Sequence, residues 1–112
     1  LEIVQREVNS IPVIDIIGEV DLYNTKEIKD LIDQMIKEGK YQLILNLANV
    51  PFMDSSGIGT LVTGMYRLKK YHGNLKIVNI MGSVAKVFKM TGMDDHLEIF
   101  NNEEEAANSF FK

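Results

Sequence analysis

Leu43-Ile44-Leu45-Asn46-Leu47 is apolar at every position but one, and it leads through three residues into Pro51-Phe52-Met53-Asp54-Ser55-Ser56-Gly57-Ile58-Gly59. A near-continuous apolar strand is what a parallel strand covered on both faces looks like, so Tyr41 to Leu47 is expected in the middle of a sheet. The acid, two hydroxyls and glycines that follow then give way to an amphipathic run. That order presents a polar helix start at the end of the sheet, with Ser55 as the leading candidate for function.

The flanking segments repeat the alternation. Leu1 to Val8 and Pro12 to Val20 are rich in Ile and Val and are separated by Asn9-Ser10, which predicts two strands in a hairpin. Asn24-Thr25 can cap a helix whose apolar positions Ile28, Leu31, Ile32, Met35 and Ile36 recur at the spacing of one helix face, with Gly39 as its stop. From Ser56 the same spacing returns at Ile58, Leu61, Val62, Met65 and Leu68, and His72-Gly73 closes that helix. Leu75 to Ile80 reads as the next strand, Ser83 to Met90 as a short helix ended by Gly92, Leu97 to Phe100 as a last strand and Glu103 to Phe111 as a last helix. Strands alternating with helices across short loops imply right-handed βαβ crossovers. The expected class is α/β: a mainly parallel central sheet with an antiparallel N-terminal edge hairpin, flanked by about four helices.

The 112 residues suit one domain spanning 1–112. An apolar fraction of 46% with only two prolines is that of a folded chain. The net charge of −4 comes without a basic stripe interleaved with aromatics, which disfavours nucleic acid as a partner. No apolar run approaches the ~20 residues that span a bilayer, and the first residues do not form a charged-then-apolar leader, so no membrane partner and a cytoplasmic location are expected. The absence of cysteine excludes disulfides, thiolate zinc sites, iron–sulfur clusters and thiol nucleophiles. The acidic run Glu103-Glu104-Glu105 sits where the first turn of a helix favours negative side chains.

Asp54-Ser55-Ser56-Gly57 supports two readings that are compatible. One of its oxygens can cap the helix that follows. The same unpaired N–H groups, with the positive end of the helix macrodipole, also form an anion site that a phosphate carried on Ser55 could enter. Such a group adds about −1.5 to −2 charges at neutral pH and three acceptor oxygens. The helix terminus would tolerate it, but a partner shaped for a neutral hydroxyl would have to desolvate a dianion, so modification should release the partner without unfolding the chain. Gly57 and Gly59 either allow close backbone approach or leave bare surface that a partner can reach.

Gly18-Glu19-Val20-Asp21, Leu45-Asn46-Leu47, Phe52 to Gly59, Gly73-Asn74-Leu75-Lys76-Ile77, and Val87-Phe88 before Met90-Thr91-Gly92-Met93 together resemble the STAS domain. More narrowly they resemble the bacterial anti-sigma factor antagonists, also called anti-anti-sigma factors. The resemblance implies a non-enzymatic protein that, unphosphorylated, binds an anti-sigma factor that is also a serine kinase, and so frees a sigma factor. The kinase supplies ATP and Mg and phosphorylates the antagonist, and a phosphoserine phosphatase reverses the modification. The modified serine of the family maps onto Ser55. Asp54 maps onto the acid beside it, and Asp21 and Asn46 fall on polar positions near it. The implied partner-binding set is Asp21, Asn46, Asp54, Ser55, Ser56, Gly57, Ile58 and Gly59, although Asn46 can equally be a strand residue satisfying neighbouring backbone. STAS domains also serve as unphosphorylated scaffolding or sensory modules in stress-signalling or membrane-transport assemblies, which is the alternative reading.

Catalysis, cofactors and metals are not expected. His72, at a helix end, and His96, in a loop beside Asp94-Asp95, are poorly placed to act as a base for Ser55, and no metal-ligand spacing occurs. Gly57 and Gly59 lack the third glycine of a dinucleotide fingerprint, because position 62 is Val, and no P-loop lysine is present. The six methionines, with Met81, Met90 and Met93 close together, suit adaptable packing, either in the core or against a partner, and the core is the preferred reading. Phe110-Phe111 is read as packing the last helix onto the sheet.

Overall fold

The computed structural model describes residues 1–111. Five strands, β1 (Glu2–Val8), β2 (Ile11–Ile17), β3 (Gln42–Asn49), β4 (Asn74–Val78) and β5 (Glu98–Phe100), form one sheet in the order of the chain. The β1–β2 hairpin is antiparallel and every other pairing is parallel. The helices are α1 (Thr25–Lys37), α2 (Ser55–Lys69), α3 (Gly82–Thr91) and α4 (Glu103–Ser109), with a 3-10 turn at Met93–Asp95. The expected architecture, with β3 central and the hairpin at one edge, is the one found.

Alternation along the strands sorts the core into two layers. Ile14, Ile16, Leu43, Leu45, Leu47, Leu75 and Ile77 face α1, α2 and α3, where they meet Ile28, Ile32, Ile58, Leu61, Met65 and Phe88. Ile11, Val13, Ile44 and Val78 face the other way and are covered by Ala106 and Ala107 of α4, with Phe110 packed alongside. The small helix is therefore what makes β3 a strand buried on both sides.

Local details differ from the expected ones. Asn24 occupies the N-cap position of α1, but its side chain does not cap the helix. It is drawn back into the preceding turn, accepting from the Asp21 N–H at 2.9 Å and donating to the Glu19 carbonyl at 2.8 Å. After α2 the left-handed residue is His72, at φ 64°, and not the glycine that follows it. Gly73 is needed for space, since a Cβ there would lie 1.8 Å from the Tyr41 carbonyl oxygen. The methionine reading is corrected in part. Met35, Met53 and Met65 are core and Met93 packs against it, but Met81 is exposed and Met90 is 84% exposed. Phe111 is likewise exposed while Phe110 packs inward, because α4 ends at Ser109 and only one of the two rings can face the sheet. No helix is long and apolar enough to cross a membrane among the described residues.

Candidate functional site

The loops leaving β2 and β3 run side by side beyond the carboxyl ends of the parallel strands. Val20 and Met53, both fully buried, pair as a parallel bridge. The Val20 N–H donates to the Phe52 carbonyl at 3.0 Å, and the Asp54 N–H donates to the Val20 carbonyl at 3.2 Å. This backbone seam fixes where α2 begins. The end of an open α/β sheet is also where such folds place their sites.

Asp54 holds the two loops and the helix together. Its backbone is extended, at φ −85° and ψ 179°, as an N-cap requires. Oδ1 accepts from the Gly57 N–H at 3.1 Å and from the Ser56 hydroxyl, and Oδ2 accepts from the Leu22 N–H at 3.2 Å. The Ser56 hydroxyl above all, then the Gly57 and Leu22 N–H groups, hold the Asp54 carboxyl below the usual carboxylate range. Both oxygens are thus committed to structure.

The two serines that follow are not equivalent. Ser56 is half-buried and gives its hydroxyl to Asp54. Ser55, the first residue of α2, is exposed, and no side chain among the described residues holds its hydroxyl. Gly57 is buried: a Cβ there would lie 2.6 Å from Met53 Cγ and 2.9 Å from Val20 Cγ1, so it is the close-approach glycine. Ile58 is 1% exposed and belongs to the core. Neither Gly57 nor Ile58 therefore presents surface to a partner. Gly59 is exposed, with nothing within 4 Å of a Cβ placed on it.

Asp21 lies at the same sheet end, but its carboxylate turns onto its own loop and accepts from the Tyr23 N–H at 2.9 Å. Asn46 is not brought to Ser55. It projects from β3 toward α4, donating to Glu103 at 2.8 Å and accepting from the Ala48 N–H at 2.9 Å. The strand-residue alternative is thus the one its contacts support, because alternation along β3 sends Asn46 to the face opposite α2.

Sequence reasoning missed the apolar side chains around Ser55. Leu22 is 69% exposed and Tyr23 is 93% exposed, in the loop that Asp54 anchors. Phe52 is exposed two residues before Asp54. Ser83 donates to the Pro51 carbonyl at 2.8 Å, which ties the start of α3, next to exposed Met81, to the same edge. Large apolar residues lying in loops, outside any strand or helix periodicity, were the available signal.

A model of the STAS domain matches residues 2–106. The chain belongs to the STAS domain family. Among curated proteins, this STAS domain is similar to the anti-sigma-B factor antagonist of Staphylococcus epidermidis, 33% identical over 82 residues that cover 73% of this chain and 76% of the relative. Among solved structures it is similar to the anti-sigma factor antagonist SpoIIAA in its unphosphorylated form, with a TM-score of 0.80, 29% identity, and coverage of 96% of this chain and 95% of that one. It is also similar to the Bacillus cell fate determinant SpoIIAA in the phosphorylated form, with a TM-score of 0.72, 26% identity, and coverage of 99% and 100%.

Proposed function

We propose that this STAS domain is an anti-sigma factor antagonist controlled by phosphorylation at Ser55. Unmodified, it docks an anti-sigma factor that is also a serine kinase and so frees a sigma factor. The kinase, with its own ATP and Mg, phosphorylates Ser55 and ends the complex, and a phosphoserine phosphatase restores it. In this reading the protein is a binding switch that works in the cytoplasm and catalyses nothing itself.

The observation that carries the proposal is the difference between the two serines. A kinase must reach a hydroxyl and remove its proton. Ser55 is exposed and no side chain among the described residues holds its hydroxyl, whereas that of Ser56 is engaged by the helix cap. The start of a helix favours a negative group there, so a phosphate on Ser55 leaves the fold intact. The surrounding surface of Leu22, Tyr23 and Phe52 offers a partner apolar contact. A dianion at its centre, beside a carboxylate that is already ionised, imposes on any partner a desolvation cost that the neutral hydroxyl does not. The names of the curated relatives and of the SpoIIAA structures support the same role.

The test is incubation with the purified kinase partner and Mg-ATP, followed by intact-mass measurement and site mapping. One phosphate should appear on the parent protein and on Ser56→Ala, and none on Ser55→Ala. Labelling that persists in full in Ser55→Ala would remove the assignment.

A further inference from the structure

We infer that the trough between α1 and α2 is a second part of the docking surface and receives an acidic segment of the same anti-sigma partner. This rests on the reading of Ser55 as the docking centre. The two helices touch at Gly64, where a Cβ would lie 2.5 Å from Ile32 Cδ1. At Gly59, nearer the start of α2, a Cβ would find nothing within 4 Å. The space between them is an open trough of about 880 Å³, within the range of roughly 300–1,000 Å³ typical of ligand sites.

Two observations fix the occupant. The first is continuity: Ser56, Gly59 and Thr60 form one end of the trough, so it opens directly beside Ser55. A partner seated over Ser55 meets the trough without a gap. The second is charge. Three cations, Lys29, Lys37 and Arg67, line the trough against the single carboxylate of Asp33. Asp33 is already claimed, by Arg67 and by Lys29 at 3.5 Å, so what remains for a visitor is positive. This basic strip stands on a chain whose net charge is −4. Complementarity therefore selects carboxylates above an apolar floor that includes Ile36, and a basic segment is repelled.

Gly59 makes the idea testable without damage to the fold. Gly59→Leu obstructs the end of the trough beside Ser56, has room for its Cβ and replaces a weak helix former within α2, so it should melt no lower than the parent. Calorimetric titration against the purified anti-sigma kinase should show binding weakened at least fivefold by Gly59→Leu. The double variant Lys29→Glu/Lys37→Glu should weaken it at least fivefold as well, with a smaller loss of affinity on raising salt than the parent shows. A change of less than fivefold in either variant, with the helical signal of both intact, overturns the inference. Ser55→Asp run in the same titration separates the two readings. If it weakens binding while the trough variants do not, only the trough falls; if it binds like the parent, the Ser55 reading falls.

Discussion

Ser55 and Ser56 have the same side chain and different chemistry, because one carboxylate claims the second and leaves the first to solvent. Asp54 is therefore the residue whose loss the fold should feel and Ser55 the one whose loss it should not. Asp54→Ala removes a helix cap and the anchor of the Leu22 loop, at an expected cost of about 0.5–2 kcal/mol in urea unfolding. Ser55→Ala should unfold like the parent. The sign of the pH effect follows from the depressed Asp54 carboxyl. Its contribution is fully present at neutral pH, above its unfolded value, and is lost as the pH falls through its lowered folded value. Denaturant midpoints measured from pH 7 down to pH 2 should show a smaller acid loss in Asp54→Asn than in the parent. Gly57→Ala places a methyl into Met53 and Val20 and should cost about 1–3 kcal/mol by the same measurement.

Among the elements, α4 is the most exposed to a single change. At its start Glu103 is gripped by Arg6, which also holds Asp15 through Nε at 2.6 Å and Nη2 at 2.7 Å, and by Asn46. At its far end the nearly buried Lys76 reaches Ser109 and lies 4.2 Å from the Phe110 ring centre. The Arg6 guanidinium, helped by Asn46, holds the Glu103 carboxyl below its ordinary range. The docking of α4 should thus be firm at neutral pH and loosen as acid protonates Glu103. Glu103→Gln is expected to lower stability by about 1 kcal/mol at pH 7 and to flatten the acid limb of the stability profile, read as hydrogen exchange of the Ala106 and Ala107 amides. Apolar periodicity made α1 and α2 legible in the sequence, while α3 was marked by Gly92 at its end and α4 by the acidic run at its start. The neighbouring backbone partner of Asn46 was open to reading, and the Ala48 N–H is one, but Glu103 was not legible. That contact depends on α4 folding back across the sheet from 57 residues away, and a strand that is apolar on both faces does not say which of them such a helix covers.

Across the whole molecule, the chain separates the layers that hold the fold from an edge of exposed apolar side chains, Leu22, Tyr23 and Phe52. The edge hairpin, the parallel pairings and the central place of β3 followed from the alternation of strand and helix patterns. The exposed apolar edge was less visible, since the only sign of it in the sequence is that Leu22, Tyr23 and Phe52 fall in loops, outside the periodicity of any strand or helix. Tyr23→Ala and Phe52→Ala should leave the melting temperature nearly unchanged and each weaken binding to the anti-sigma partner about tenfold, as apolar anchors at an interface do. The most direct measurement compares the unmodified protein with its Ser55-phosphorylated form, titrated against the purified anti-sigma kinase and melted in parallel. The expected result is tight binding only by the unmodified form, with the two melting curves alike. Equal affinity of the two forms, or a phosphorylated form that loses binding because it unfolds, would contradict the account.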